Sequence, residues 1–594
     1  MNKKRKTSNS GAKNCSQNSK YRKKRYNDRE EADDIGQGAK KTRVSSDNDW
    51  RWYAQNEQLL RDSASFSYNY PLGTTVTITP DSSDPINTAA IPGVMAIYCS
   101  PAYGSSLVAN SPLNVAIRNI YSFVRHANSG HTNYDAPDLG IYLMAMDNLY
   151  SYISFLRRVY GVAMTFSYTN RYYPTAVMNA MGVDFEDIHQ NLADFRAYIN
   201  SLSVKVGSMC IPASMSVFAR HMWMYEGYYV DTDQDKAQTF LYTPAGFFKY
   251  NLNTDQSGML TYVPLINPED YVSSTDIADT SLLKFKDLHD YGDTLIETIL
   301  RSEDMNIMSG DILKAFGREN VYMIPMIPEN YVVLPSFNEE VVNQVNNATL
   351  IGPRCFTGDG SFLETNSLEQ DPTHGYLVEN ITCAITSPDM TTSAANAIDR
   401  GALTSKKYLN FDHGDVSPAD SMVASRLTNI IPSGQIDSDS GIHFGSTPSG
   451  SGYTGIVWSN SDMLPQDSTF GTDVAHFASI FYYGSNGLVR SEMITAVLPV
   501  VITAADASQS GINALVRNVQ FDTARINMLT NFRRHPRVAY QYYITIGSVS
   551  SAGQYVANIG DLNYWTVVDV YDLKGMSETA LLSEFNVTQY GRKA

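Results

Sequence analysis

Residues 1–44 hold only three large apolar aliphatic or thioether side chains, Met1, Ile35 and Val44, among Lys, Asn, Ser and Gly. Such a segment buries too little apolar surface to offset the entropy of ordering it, so it is expected to be a disordered arm. The arm carries 14 cations, Lys3, Lys4, Arg5, Lys6, Lys13, Lys20, Arg22, Lys23, Lys24, Arg25, Arg29, Lys40, Lys41 and Arg43, against five acids. Residues 45–594 hold 31 Lys and Arg against 56 Asp and Glu, so an arm of charge +9 is attached to a body of charge −25. A basic tail on an acidic body predicts that only the tail seeks a polyanion. Its Lys and Arg side chains suit sequence-independent phosphate contacts, each releasing a counterion, and RNA is the expected partner of all 14. The competing readings are a solubilising tail and a nuclear-localisation run, for which Lys3–Lys6 and Arg22–Arg25 would pass.

Composition changes abruptly at Asp49-Trp50-Arg51-Trp52-Tyr53, which marks the expected start of packed structure. Thr74–Thr79 alternates like a half-buried strand. Helical spacing then dominates: helices are expected over Asp138–Tyr160, Asp184–Leu202, Pro212–Tyr225, 282–301 and Met308–Phe316, the last stopped by Gly317. Val321–Pro325 and Tyr331–Leu334 read as strands. From 340 to 490 Gly, Ser, Thr, Asp and Asn cluster, and short apolar runs between turn residues predict an exposed β-rich domain. After it, Met493–Thr503 reads as a strand pair broken at Pro499, Asp522–Arg533 as a helix, Val538–Ile546 and Trp565–Tyr571 as strands, and Ser577–Phe585 as a helix. The expected fold is α+β: a basic arm (1–44), a helix-rich domain (45–339), a β-rich domain inserted after it (340–490), and a mixed C-terminal return (491–594).

Local traces of chemistry are scarce. No HExxH, GxSxG, GxxxxGK[ST] or post-strand GxGxxG motif occurs. The ten histidines never fall at metal-ligand spacing. Asp231-Thr-Asp-Gln-Asp235 opens like a calcium loop, but Lys236 stands where the glycine is needed and Tyr242 where the bidentate acid is needed. No metal, cofactor or catalytic residue is therefore expected. The five cysteines lie far apart, which suggests reduced thiols in a cytosolic protein. No apolar leader is visible, and the longest apolar run, Ile494–Ala505, is too short for a membrane span and contains Pro499. Arg533-Arg534-His535-Pro536-Arg537 is the densest basic cluster of the body. It reads first as a helix C-terminus, where cations favour the dipole, and second as a contact to RNA or to an acidic neighbouring subunit. The 39 tyrosines suit protein interfaces as well as ordinary cores.

The stretch Asn48-Asp-Trp-Arg-Trp-Tyr-Ala-Gln-Asn-Glu-Gln-Leu-Leu-Arg-Asp62, continuing through Phe66-Ser-Tyr-Asn-Tyr-Pro-Leu-Gly73, resembles the start of the folded region in picobirnavirus capsid proteins. The resemblance implies a coat subunit of a virion, assembled in the host cytoplasm. Its copies would pair as symmetric dimers that tile an icosahedral shell around a segmented double-stranded RNA genome. It implies a helical shell domain, a β-rich protruding domain, and an N-terminal peptide removed by self-cleavage, here between residues 45 and 70. A loosely held duplex would let a packaged viral polymerase move its template. The competing functions are a β-rich cytoplasmic or surface glycan-recognition protein with a basic tail, and an enzyme whose site leaves no local motif.

Overall fold

The computed structural model describes residues 50–587 apart from internal stretches, the longest being 65–74, 78–87, 355–366, 387–406, 430–454, 460–470 and 505–525; residues 1–49 and 588–594 lie outside it. The arm with its 14 cations and the acids at 233 and 235 thus fall outside the described residues. The chain divides into two units, one ending at Tyr70 and one starting at Pro71. In the first, a 3-10 turn at Trp50–Trp52 precedes helix α1 (Glu57–Ala64), whose first amides are capped by the Asn56 side chain. Packed structure does not start here as expected: Trp52 is 64% exposed, and no residue of α1 is buried.

In the second unit β1 (Thr75–Thr77) pairs with β2 (Thr88–Ala90), and β3 (Val94–Pro101) opens the core. There follow α2 (Pro112–Ala127), α3 (Ala136–Ala163), α4 (Tyr172–Ala180), α5 (Phe185–Gln190), α6 (Leu192–Gly207) and α7 (Ser216–Glu226). Strands β4 (Tyr229–Val230), β5 (Thr239–Pro244), β6 (Gly246–Leu252), β7 (Gly258–Pro264) and β8 (Thr275–Asp276) lead to α8 (Phe285–Leu300), α9 (Glu303–Phe316) and α10 (Glu339–Asn347). After these come β9 (Ser367–Gln370), β10 (Leu377–Asn380), β11 (Thr382–Thr386), β12 (Lys407–Phe411), α11 (Pro418–Ala424) and β13 (Gly455–Ser459). The rest comprises β14 (Asp473–Gly484), β15 (Gly487–Arg490), β16 (Val497–Ala504), β17 (Ala539–Ile546), β18 (Val549–Ser551), β19 (Val556–Asn558), β20 (Tyr564–Val568) and α12 (Val570–Glu584).

Helix α3 organises this unit. Asp138 accepts the Asp135 amide at 3.0 Å, Pro137 fixes φ in the first turn, and 28 residues then run about 42 Å. Only Ala136, Asp138 and Arg157 escape burial, so the helix is core on every side rather than the one-faced helix its spacing predicts. Two of its polar residues hold other elements in place. Asn148 accepts the Phe248 amide of β6 at 2.9 Å, and Arg158 donates to the Gly227 carbonyl at 3.0 Å. A buried polar group left without such a partner would cost roughly 1–3 kcal/mol.

A six-stranded sheet, in the order β4-β5-β3-β14-β15-β8, lies at the centre of the core. All eight residues of β3 are buried; β3 runs parallel to β5 and antiparallel to β14, with a bulge at Ala475/Phe477. A second, antiparallel sheet has the order β10-β9-β7-β6. Both sheets take strands from either side of residue 340. Strands β9 and β14 pair with β7 and β3 of the first half of the chain, so both sheets run across the expected boundary at 340. The architecture is mixed α and β, as expected.

Several local expectations change. Asp184–Leu202 is two helices, α5 and α6, divided at Asn191, whose side chain donates to the Asp187 carbonyl at 2.8 Å. Val321–Pro325 and Tyr331–Leu334 form no ladder, because Pro325, Pro328 and Pro335 remove donors along the stretch. β16 continues through Pro499 instead of breaking there. It pairs only with β17 among the described residues, so an edge position accommodates the missing amide proton. Trp565–Tyr571 ends as a strand at Val568, and Tyr571 already belongs to α12, which Asp569 caps through the Tyr571 amide at 3.0 Å. Among the described residues no helix is long and apolar enough to cross a membrane, and Cys99, Cys210 and Cys383 are unpaired.

Candidate functional site

The basic cluster at Arg533–Arg537 lies in the wall of a cleft of about 310 Å³ bounded by β12, the 530–537 segment and the 559–563 loop. Residues 526–530 are helical, and Phe532 anchors the following turn against Phe240 with ring centroids 5.3 Å apart. Asp231 accepts the Arg533 amide at 2.6 Å, so the first acid of the calcium-like run is a backbone anchor. The arginines therefore follow the helical turn instead of completing it. Arg534 forks onto Asp412, its Nε reaching Oδ2 at 3.1 Å, and also donates to the Arg533 carbonyl at 2.7 Å. Arg537 stacks on Tyr408 at 4.2 Å and donates to Asn347 Oδ1 at 2.8 Å; burial draws its pKa down to about 10, leaving it charged at neutral pH. His535 bonds the Pro536 carbonyl, and burial lowers its pKa. Gly560, at φ +101°, lets the loop pass over His535, because a Cβ there would meet Nε2 at 2.7 Å. Two of the three arginines are thus held inside the chain, and the Arg533 side chain is exposed at the rim of the cleft.

A second constellation has the outline of a catalytic dyad. Ser100 Oγ lies 2.6 Å from His476 Nε2, and His476 Nδ1 lies 2.9 Å from the Gly352 carbonyl. The carbonyl requires Nδ1–H, so Nε2 accepts from the serine. Burial, with Arg354 nearby, pulls the histidine down to about 3 and keeps it neutral. Ser100, His476 and Arg354 are at most 2% exposed, which shuts the pair away from substrate and makes it a structural strut. Beside it, burial raises Glu379 to about 7, against the pull of Arg354.

The linkage has opposite signs at the two groups. The unfolded histidine gains its proton below pH about 6.5 while the native one does not, so stability is lost as pH falls from about 6.5 toward about 3. Native Glu379 keeps a proton that the unfolded chain has shed, so stability is lost as pH rises from about 4.5 to about 7. The two slopes oppose each other, each about 1.4 kcal/mol per pH unit. The variant His476→Gln is expected to uncover the second slope and to grow more stable relative to the native chain as pH falls from 7 to 5. Urea unfolding at several pH values checks this; parallel profiles for the two chains would contradict it.

Among the described residues no cluster of three or more His, Cys, Asp or Glu could hold a metal ion. The family model for the picobirnavirus capsid protein matches residues 52–553. The chain belongs to the picobirnavirus capsid protein family. It is 27% identical over 574 residues to a capsid protein precursor of Human picobirnavirus (strain Human/Thailand/Hy005102/-), covering 94% of each chain. Its fold is similar to that in an X-ray structure of the picobirnavirus capsid, with a TM-score of 0.65 and 19% identity over 90% of this chain and 98% of that one. Membership of this capsid family makes the chain a structural protein of the virion that assembles with its own copies into a shell, and sets aside the glycan-recognition reading. Sequence reasoning found the basic run but missed its cleft, because Tyr408, Asp412 and the 559–563 loop are distant in sequence.

Proposed function

We propose that this capsid family member pairs as symmetric dimers, that the dimers close an icosahedral shell around segmented double-stranded RNA, and that the arm supplies most of the attraction to that RNA. The carrying observation is that the family match begins at residue 52, leaving the 14 cations of residues 3–43 ahead of the shared fold, on a body of charge −25. An acidic body repels phosphate, so a duplex released by the arms stays free for a packaged polymerase to move. Assembly takes place in the host cytoplasm. A single self-cleavage between residues 45 and 70 frees the arm; the word precursor in the relative's name and the start of the large compact unit at Pro71 support this reading. The β-rich stretch 340–490 supplies the part that projects from the shell.

The test compares particles made by the full chain with particles made after deletion of residues 1–44. The deletion is expected to leave assembly intact and to lower nucleic acid per particle at least several-fold, read from absorbance ratios and extracted RNA. Equal RNA content would contradict the role of the arm.

A further inference from the structure

Strand β20, Tyr564-Trp-Thr-Val-Val568, is exposed at four of its five residues. It pairs only with β12 among the described residues, in an unbroken antiparallel register from Phe411/Tyr564 to Lys407/Val568. Tyr564 is 53%, Trp565 56% and Val567 58% exposed, so both faces of the strand meet solvent. A two-stranded sheet is marginal in water, and edge strands are ordinarily blunted by charge, proline or a bulge. This strand has none of these. On one face Trp565 and Val567 lie across from Asn410 and Tyr408, which line the basic cleft, so the apolar strip and the cleft are continuous.

We infer that the free edge of β20 pairs antiparallel with β20 of a second copy across a two-fold axis near Thr566, joining two two-stranded sheets into one of four strands. The inference rests on the self-assembly reading and names its surface. Charge favours this occupant. In a register centred on Thr566, the rim of one cleft, with Asn563 and the exposed Arg533, faces the end of the other strand. There Asp569 and Asp572 of the partner subunit lie, both exposed in the single chain. A nucleic acid finds less here: Arg534 and Arg537 already have partners, and Asp561, Asp569 and Asp572 flank the strand.

Two full-length variants test the pairing. Thr566→Cys, at an exposed position, is expected to form a disulfide-linked dimer on mild oxidation, since opposed strand residues lie within the Cα separation a disulfide spans. The native chain and Val204→Cys, exposed on α6, serve as controls and should not. The double variant Trp565→Asp/Val567→Asp is expected to weaken self-association at least tenfold in sedimentation, with unchanged circular dichroism and melting temperature. No cross-link at 566, or native association of the double variant, overturns the inference. So does a double variant that assembles normally but loses RNA, which would make the strip a nucleic-acid surface. A native chain that never associates overturns the coat reading itself, whereas native assembly with unaffected variants overturns only the pairing.

Discussion

Asp147→Ala is expected to cost about 3–5 kcal/mol of stability, the loss typical when one partner of a buried charge pair is removed. Asp147 on α3 and His221 on α7 meet at 2.6 Å with at most 1% of either side chain exposed, and they link two of the most closely packed helices in the molecule. Burial alone would lower the histidine pKa; the charge of Asp147 and its hydrogen bond outweigh that and hold it above the ordinary value. A histidine raised in this way contributes stability in full below its unfolded pKa of about 6.5 and loses it as pH rises through the raised value. The deficit of the variant should therefore be largest near pH 6 and shrink on the alkaline side. Urea unfolding at pH 6 and pH 9 reads both the size and the trend; a deficit under 1 kcal/mol at pH 6 would show that α3 and α7 need no charge pair between them.

Arg354→Ala should be comparably damaging, again about 3–5 kcal/mol at pH 8. The guanidinium lies 4.3 Å from the Tyr262 ring centroid and 5.0 Å from that of Phe248, and 3.7 Å from Glu379 Oε1, while Glu379 Oε2 accepts the Tyr103 amide at 2.8 Å. One side chain thus joins β6 and β7 to β10. Without it Glu379 keeps its burial and loses its counter-charge, so its pKa rises further and the ionised form becomes more costly. The loss should be smaller at pH 5, where the carboxyl holds a proton, and larger at pH 8. An equal loss at both pH values would mean that Arg354 acts through packing alone.

The distribution of legible and illegible features follows from where the partners lie. The start of α3 was readable because Asp135, Pro137 and Asp138 are local signals. Its burial on nearly every side was not, because Asp147, Asn148 and Arg158 look like a solvent face until His221, Phe248 and Gly227 are brought to them. The apolar spacing from Ile188 to Leu202 runs unbroken through Asn191, so periodicity alone does not reveal the division between α5 and α6. Strand β14 read as part of an exposed β domain because its neighbour β3 lies more than 370 residues earlier. At the cleft, the run Arg533–Arg537 was visible, whereas the acid and the aromatic ring that hold Arg534 and Arg537 are over 120 residues away. The exposed faces of β20 were equally hidden, since Tyr, Trp and Val in alternation read as an ordinary strand.

The most direct trial of the account is sedimentation velocity on the purified full-length chain at neutral pH, with electron microscopy of the fastest fraction. The account predicts a discrete boundary of megadalton size composed of closed, uniform shells. A chain of 65.9 kDa that stays monomeric at high concentration, or that forms only small open oligomers, would contradict it.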